Sequence, residues 1–459
     1  MGYWPMFSCR AAAGWAVLLA LLSLPSLCSG ADVKPVGFRF TPYVIRADQR
    51  TPVLLEVAIS GAPTTVLLEC PQATLLMTDN GAGGDVAVGD GVYTTRLDSA
   101  QVTAGMQPDD VYRPLVGFCS VYVGETRAFR LNVKAEVWTP EMPRVKVARV
   151  APDAQDTPHL VNIVGEEGFE GFDVKRWTRR FYELYNDEYD FLSVLRLPSV
   201  THNRTHAAVC NDVSGIGVPL FDRSAEYGSA GRLRGLTIFP SASFYDGAER
   251  GYQHELGHQW INYLRGTPFE PGIPHWPMSD VASAIMGVSG NRPDKQGEAF
   301  PYDLVPEGGA WRLRALDQRA PVRFNDLELY LMGLLPPEEV QPHFVFDNQD
   351  QECRRGGLLQ GPVTTVTIED LVGMVGPRQP SFADSPKVFR VGTLIVSDRP
   401  LTAEEMAFFD FFTQRAELET EVPCCMGLMK CSALPFYAST GGRGRLDTSL
   451  GGLREGAGG

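Results

Sequence analysis

The chain lacks any means of gripping a polyanion. Lys and Arg number 41 against 55 Asp and Glu in 459 residues, a formal net charge of -14, and no basic block offsets it. A nucleic-acid binder needs a cationic footprint that releases counterions, and an anionic membrane surface makes the same demand. Neither is an expected partner. No CxxC spacing occurs, so no cysteine-built zinc knuckle is indicated. There is no internal repeat, and no apolar run after residue 30 is long enough to span a bilayer. Histidine is scarce, 7 in all. With 44% apolar and 21% charged residues, the composition is that of a folded chain.

One long apolar run stands at the start. Residues 1–10 carry a single charge, Arg10, residues 11–27 are almost wholly apolar, and Cys28-Ser29-Gly30 offers small side chains before Ala31. Residues 1–30 read as a secretory signal peptide, and Pro25 weighs against a retained anchor. The mature protein is then expected to be secreted, extracellular or periplasmic, with no membrane span. An oxidising compartment turns Cys70, Cys119, Cys210, Cys353, Cys424, Cys425 and Cys431 into disulfide candidates, with an odd one left over. Cys70 is expected to pair with Cys119, since no other Cys lies between residues 31 and 135. Asn203-Arg204-Thr205 is a glycosylation sequon.

Residues 31–135 read as an all-β domain. The runs Val53–Ile59, Thr64–Leu68, Tyr112–Val123 and Ala128–Val133 are separated by Gly, Pro, Asn and Asp turns at short intervals. That spacing predicts an immunoglobulin-like sandwich. The stretch from Asp79 to Asp85, continuing through Gly89-Asp90-Gly91-Val92-Tyr93, resembles the Asp/Gly-rich turn of bacterial immunoglobulin-like accessory modules. A calcium loop is the alternative, but Gly81 stands where a second acidic ligand belongs and Asp90 rather than Glu closes the loop. Turn chemistry is the preferred reading.

Residues 136–160 hold Pro140, Pro143, Pro152 and Pro158 with little periodicity and read as a linker. Residues 161–450 read as mixed α+β. Asp173 caps a helix whose Val174, Trp177, Phe181 and Leu184 share a face, and strands are expected at Phe191–Leu197 and Leu233–Phe239. Thr402 and Glu405 form a capping box ahead of an aromatic stripe, Phe408, Phe409, Phe411 and Phe412, expected in the core. The Gly-rich tail, 451–459, is expected to be disordered.

The motif that carries chemistry is His254-Glu255-Leu256-Gly257-His258. Asp246 and Glu249 form a capping box before it, and Gly266 and Pro268 stop the helix after it. Histidines four apart lie on one helix face and can reach one ion. Glu255 is about 100° round the helix, beside such an ion rather than under it, where a base takes a proton from an activated water. Two His on a helix and one from a following loop suit a catalytic zinc ion, Zn2+, with an open fourth position. His275 is the leading third ligand, placed after Pro271-Gly272-Ile273-Pro274, which can turn the chain back. Asp280, Glu270 and the more distant Glu298 and Glu307 compete.

These residues resemble the zincin metallopeptidases, though no particular branch. The positions where a metzincin carries Gly and His hold Ile261 and Leu264, and the positions of a gluzincin Glu hold Pro277 and Met278. His258-Gln259-Trp260 is similar to the aminopeptidase form of the helix. Ala284-Ile285-Met286-Gly287 resembles the Met-containing turn that floors some zincin sites, and a plain buried Met is the competing reading. The stretch Asn325–Leu334, Gly376-Pro377-Arg378 and Gly441–Asp447 resemble an uncharacterised secreted zincin-like family over about residues 160–449. Tyr330 is expected in the core rather than as an electrophile. The resemblance implies a zinc endopeptidase acting on a peptide or protein substrate, with strand Leu233–Phe239 as a candidate docking edge. The alternative is a surface-binding or adhesion protein whose zinc site is structural or inactive.

Overall fold

A computed structural model of the protein describes residues 33–46, 50–70, 73–99, 118–132, 136–138, 143–165, 172–198, 204–239, 251–288, 302–315, 322–351, 356–420 and 434–456. The expected signal peptide, the helix-opening Asp246 and Glu249, Asn203 and Glu298 lie outside these residues. The described chain is strand-rich, with several antiparallel sheets.

Two of these sheets are built from residues 35–132. One orders Pro35–Thr41, Pro52–Ile59 and Val92–Asp98; the other orders Ala73–Met77, Val66–Cys70, Phe118–Val123 and Thr126–Asn132. Strand alternation does the sorting: Val53, Leu55, Val57 and Ile59 are buried while Leu54, Glu56 and Ala58 face the other way. Cys70 and Cys119 form a disulfide, Cα atoms 4.3 Å apart. It joins neighbouring strands of a single sheet rather than crossing between sheets. The Asp79–Asp90 loop is held by its own backbone. Asp79 accepts the N–H groups of Gly89 at 2.6 Å and Gly91 at 2.9 Å, and Asp85 that of Gly81 at 2.6 Å. The Gly81 N–H, with others, holds the Asp85 carboxyl below its ordinary range.

The remaining chain is organised by an eight-stranded mixed sheet in the order Ala148–Ala151, Ala154–Asp156, Leu160–Val164, Val388–Ser397, Phe191–Leu197, Gly235–Phe239 and Thr205–Ala208, with Arg445–Asp447 beside Val388–Ser397. Residues 136–160 are therefore not a linker throughout. Glu136–Trp138 pairs with Val44–Arg46, and the hairpin 148–156 extends the large sheet. Pro143, Pro152 and Pro158 fall between strands, so none of them interrupts a ladder. The tail is also ordered as far as it is described. Arg454 N–H bonds to the Leu184 carbonyl at 2.7 Å, one that the helix end leaves unpaired, and Gly451 N–H bonds to the Tyr189 hydroxyl at 2.9 Å.

Alternation gives the sheet two apolar faces. On one, Leu192, Val194, Leu236 and Leu394 meet the helix Val174–Leu184 through Trp177, Phe181 and Leu184, with Asp173 capping as expected. On the other, Phe191, Leu195, Phe239 and Ile395 meet Tyr252, Leu256 and Trp260 of the segment that carries the paired histidines. Trp260 sets its ring edge-on to Phe191 at 5.6 Å. The helix Ala403–Arg415 has the Thr402–Glu405 capping box, and Phe408, Phe409 and Phe412 are fully buried in the core. Among the described residues, no helix is long and apolar enough to cross a membrane.

Candidate metal centre

Glu255 and His254 stand on the helix Gly251–Gly257. His258 lies in the turn that prolongs it, with its N–H bonded to His254 O at 3.3 Å. The sequence predicts a helix running to Gly266, but the structure ends it sooner. Asn262 has φ 50°, a left-handed conformation that Asn tolerates and a continuing helix does not. The same side chain then serves the site, because its fully buried Nδ2 donates to the carbonyl of His275 and, at 3.4 Å, to that of Phe269. His275 returns to the helix after the turn Glu270–Gly272, its N–H bonded to Gly272 O at 2.7 Å. A Cβ on Gly272 would lie 2.1 Å from Pro277 N, so the tight return needs glycine there.

The three imidazoles converge. His254 Nε2 is 3.1 Å from His275 Nε2 and 3.2 Å from His258 Nε2, and one ring nitrogen from each residue lies within 4.8 Å of the others. Zn–N bonds of about 2.0–2.1 Å place tetrahedral nitrogens roughly 3.3 Å apart, so the spacing fits such an ion. The outer nitrogen of His254 faces the Ile285 carbonyl at 3.0 Å; donating there leaves Nε2 as a bare acceptor. His258 Nδ1 is buried with no hydrogen-bond partner among the described residues. Burial, then His254 and His275, hold His258 down to about 2, and burial, then Arg204, lowers His275. The three Nε2 atoms thus form a cluster of a size that could hold one metal ion.

Met286 is buried with its sulfur against Gly257, where an added Cβ would come within 2.5 Å of Sδ. The segment Ala284–Gly287 thus floors the helix and orients His254 as well. Trp276, next to His275, donates its indole N–H to Glu328 Oε1 at 2.8 Å. Glu328 is wholly buried in the helix Asp326–Met332, where it also accepts Asn325 N–H at 3.0 Å and the Met286 backbone. Burial pushes its carboxyl up to about 8 against the pull of these donors.

Glu255 is 5% exposed, and its Oε1 lies 3.1 Å from Arg204 Nε. Burial raises its carboxyl above the ordinary range, and Arg204 opposes the rise. Arg204 immediately precedes the edge strand Thr205–Ala208. His206 of that strand meets Gln259 Oε1 at 3.0 Å, and Gln259 donates to Cys210 O at 2.9 Å. The expected docking strand, Gly235–Phe239, is not an edge, because Phe191–Leu197 pairs on one side and Thr205–Ala208 on the other. The polar, unalternating sequence Thr205-His206-Ala207-Ala208 gives a weak strand signal, which is why the strand at the edge among the described residues escaped the sequence reading.

The competing ligands are engaged elsewhere. Asp280 pairs with His343 Nδ1 at 3.1 Å, Glu270 accepts Gly266 N–H at 2.8 Å, and Glu307 is bound to Arg312. Tyr330 is buried and its oxygen accepts Arg378 N–H at 3.3 Å, a packing role. Arg204, Asn262, Gln259 and Glu328 were not assigned roles from sequence. The partners that place them at the site lie 13 to 53 residues away, and no local pattern marks these pairings.

Comparison with protein-family models, curated proteins and solved structures finds no match.

Proposed function

We propose that the protein is a secreted zinc-dependent endopeptidase, with an immunoglobulin-like sandwich ahead of a zincin-like α+β catalytic domain. The observation that carries this reading is the convergence of three imidazole nitrogens within 4.8 Å beside a buried glutamate that is not among them. The Cys70–Cys119 bond supports an oxidising compartment.

His254, His258 and His275 would hold the ion. When bound, zinc supplies a Lewis acid that lowers the pKa of water toward neutrality and polarises a peptide carbonyl. Glu255, made more basic by burial, takes the proton of the attacking water and returns it to the leaving amine. Arg204 holds the carboxylate in place and moderates its basicity. An extended substrate would pair with Thr205–Ala208, the strand at the edge of the sheet among the described residues, which Arg204 and His206 tie to the helix. Metal analysis of the purified protein, paired with a broad peptide-library digest, tests the reading. Stoichiometric zinc with peptide cleavage supports it. Zinc with no cleavage, unchanged by Glu255→Gln, favours a structural metal in an adhesion protein, a reading to which the engaged state of Glu255 lends some weight.

A further inference from the structure

A second site lies away from the histidines, where residues of the first antiparallel sheet face the large mixed sheet. A cavity of about 570 Å³ opens there. Its floor is topological. Gly165 follows Leu160–Val164, Pro198 follows Phe191–Leu197, and Asp398 follows Val388–Ser397, and all three line the cavity. These strands are adjacent and mutually parallel, so the cavity sits at their carboxyl ends. Crevices at the carboxyl ends of parallel strands are a recurrent place for ligands in open α/β sheets. The roof is the outward face of the three-stranded sheet, with Glu56, Arg39 and Ala58, and the loop bearing Asp85 and Asp90.

The joint that encloses it is fastened. Tyr43 N–H bonds to Glu405 Oε1 at 2.8 Å and its hydroxyl to Asp398. Arg399 grips both oxygens of Glu405 at 2.7 and 2.8 Å and lies over the Tyr43 ring at 4.5 Å. The cavity is therefore preformed rather than a chance gap between loosely placed units.

Its charge is lopsided. Four carboxylates line it, Glu56, Asp85, Asp90 and Asp398, against two guanidinium groups, Arg39 and Arg196. Arg39 is shared, bonding to Asp398 at 2.8 Å while also facing Glu56. Glu56 feels burial first, and then both the relief from Arg39 and the repulsion of Asp398, Asp85 and Asp90; together they raise its carboxyl. Excess negative charge held in a walled, partly desolvated space favours an organic cation whose N–H groups can satisfy several carboxylates at once.

We infer that this cavity binds an ammonium- or guanidinium-bearing ligand, with Glu56 and the Asp85–Asp90 loop as its recognition groups. The ligand is either a free polyamine or a basic side chain of a peptide.

Calorimetric titration of the full chain with spermidine, and separately with N-acetyl-lysine amide, tests this. Tighter binding of spermidine assigns the free polyamine, and the reverse assigns a peptide side chain. Glu56→Gln should weaken either ligand roughly tenfold, the loss of one charge-assisted hydrogen bond. Ala58→Phe fills the cavity without changing charge and should abolish binding. Glu369→Gln, at an exposed position on a distant helix, should leave it unchanged. Circular dichroism confirms that each variant is folded. No heat with either amine at millimolar concentration, equal binding of succinate, or indifference to both Glu56→Gln and Ala58→Phe would overturn the assignment.

Discussion

Trp276 and Glu328 are joined by a 2.8 Å hydrogen bond between an indole N–H and a fully buried carboxyl. The bond ties the residue next to His275 to the helix Asp326–Met332, and the same carboxyl also takes the Met286 backbone. Glu328→Ala should therefore leave buried donors unpaired and cost about 2–4 kcal/mol in urea unfolding. It should also weaken zinc about 10–100-fold through a slackened His275. Unchanged metal affinity would show that the His275 loop holds itself.

Glu255→Gln should retain one zinc per chain while peptide hydrolysis falls by about 10²–10⁴, the usual share of general acid–base catalysis. Cleavage near the wild-type rate would remove Glu255 as the base.

His275→Ala should lose most of its zinc on mild dialysis, as should His254→Ala and His258→Ala, because three protein ligands hold a catalytic ion and water replaces one of them poorly. Glu270→Ala and Asp280→Ala should keep the metal, since the first carboxyl serves Gly266 N–H and the second serves His343. Measured stoichiometry after dialysis decides between an imidazole and an acid as the third ligand.

His343 gives a pH dependence. Burial opposes its charge, but Asp280 and Asp326 on either side outweigh burial and lift it to about 9. A folded-state value above the unfolded one, about 6.5, means the pairing stabilises fully below pH of about 6.5. The contribution, on the order of 3 kcal/mol, falls away as pH rises through about 9. Thermal melts between pH 6 and 10 should show this loss in the wild type, and His343→Gln should flatten it.

Reduction of Cys70–Cys119, which spans 49 residues, should cost about 4 kcal/mol in the chain-entropy account. Non-reducing peptide mapping should recover the two peptides linked, and unfolding with and without reductant gives the cost.

The parts of the molecule legible in the sequence were those written locally. His254, Glu255 and His258 are one motif on one turn, and His275 stood out because histidine is scarce and a Pro/Gly turn precedes it. Cys70 and Cys119 could be paired because their segment holds no third cysteine. What escaped depends on residues distant in sequence. Arg204 reaches Glu255 across 51 residues, and Asn203-Arg204-Thr205 reads as a glycosylation sequon with nothing to tie Arg204 to the histidine motif. Asn262 ends the helix by its backbone and anchors His275 by its side chain, two tasks with no composition signal. Prolines at 143, 152 and 158 suggested a linker because the strands between them, Ala148–Ala151 and Ala154–Asp156, are too short to show an alternating pattern.

Val388–Ser397 lies hydrogen-bonded between Leu160–Val164 and Phe191–Leu197. The ribosome makes its two neighbours some two hundred residues before it makes the strand that joins them. Until then each presents a bare inner edge, and the layer against which Trp260 and the histidine helix pack has a gap in its middle. Native closure of this sheet is thus a late event in synthesis, governed by long-range pairing rather than by local propensity. A truncation between residues 276 and 387 would leave the motif residues present and the strand that joins the platform missing.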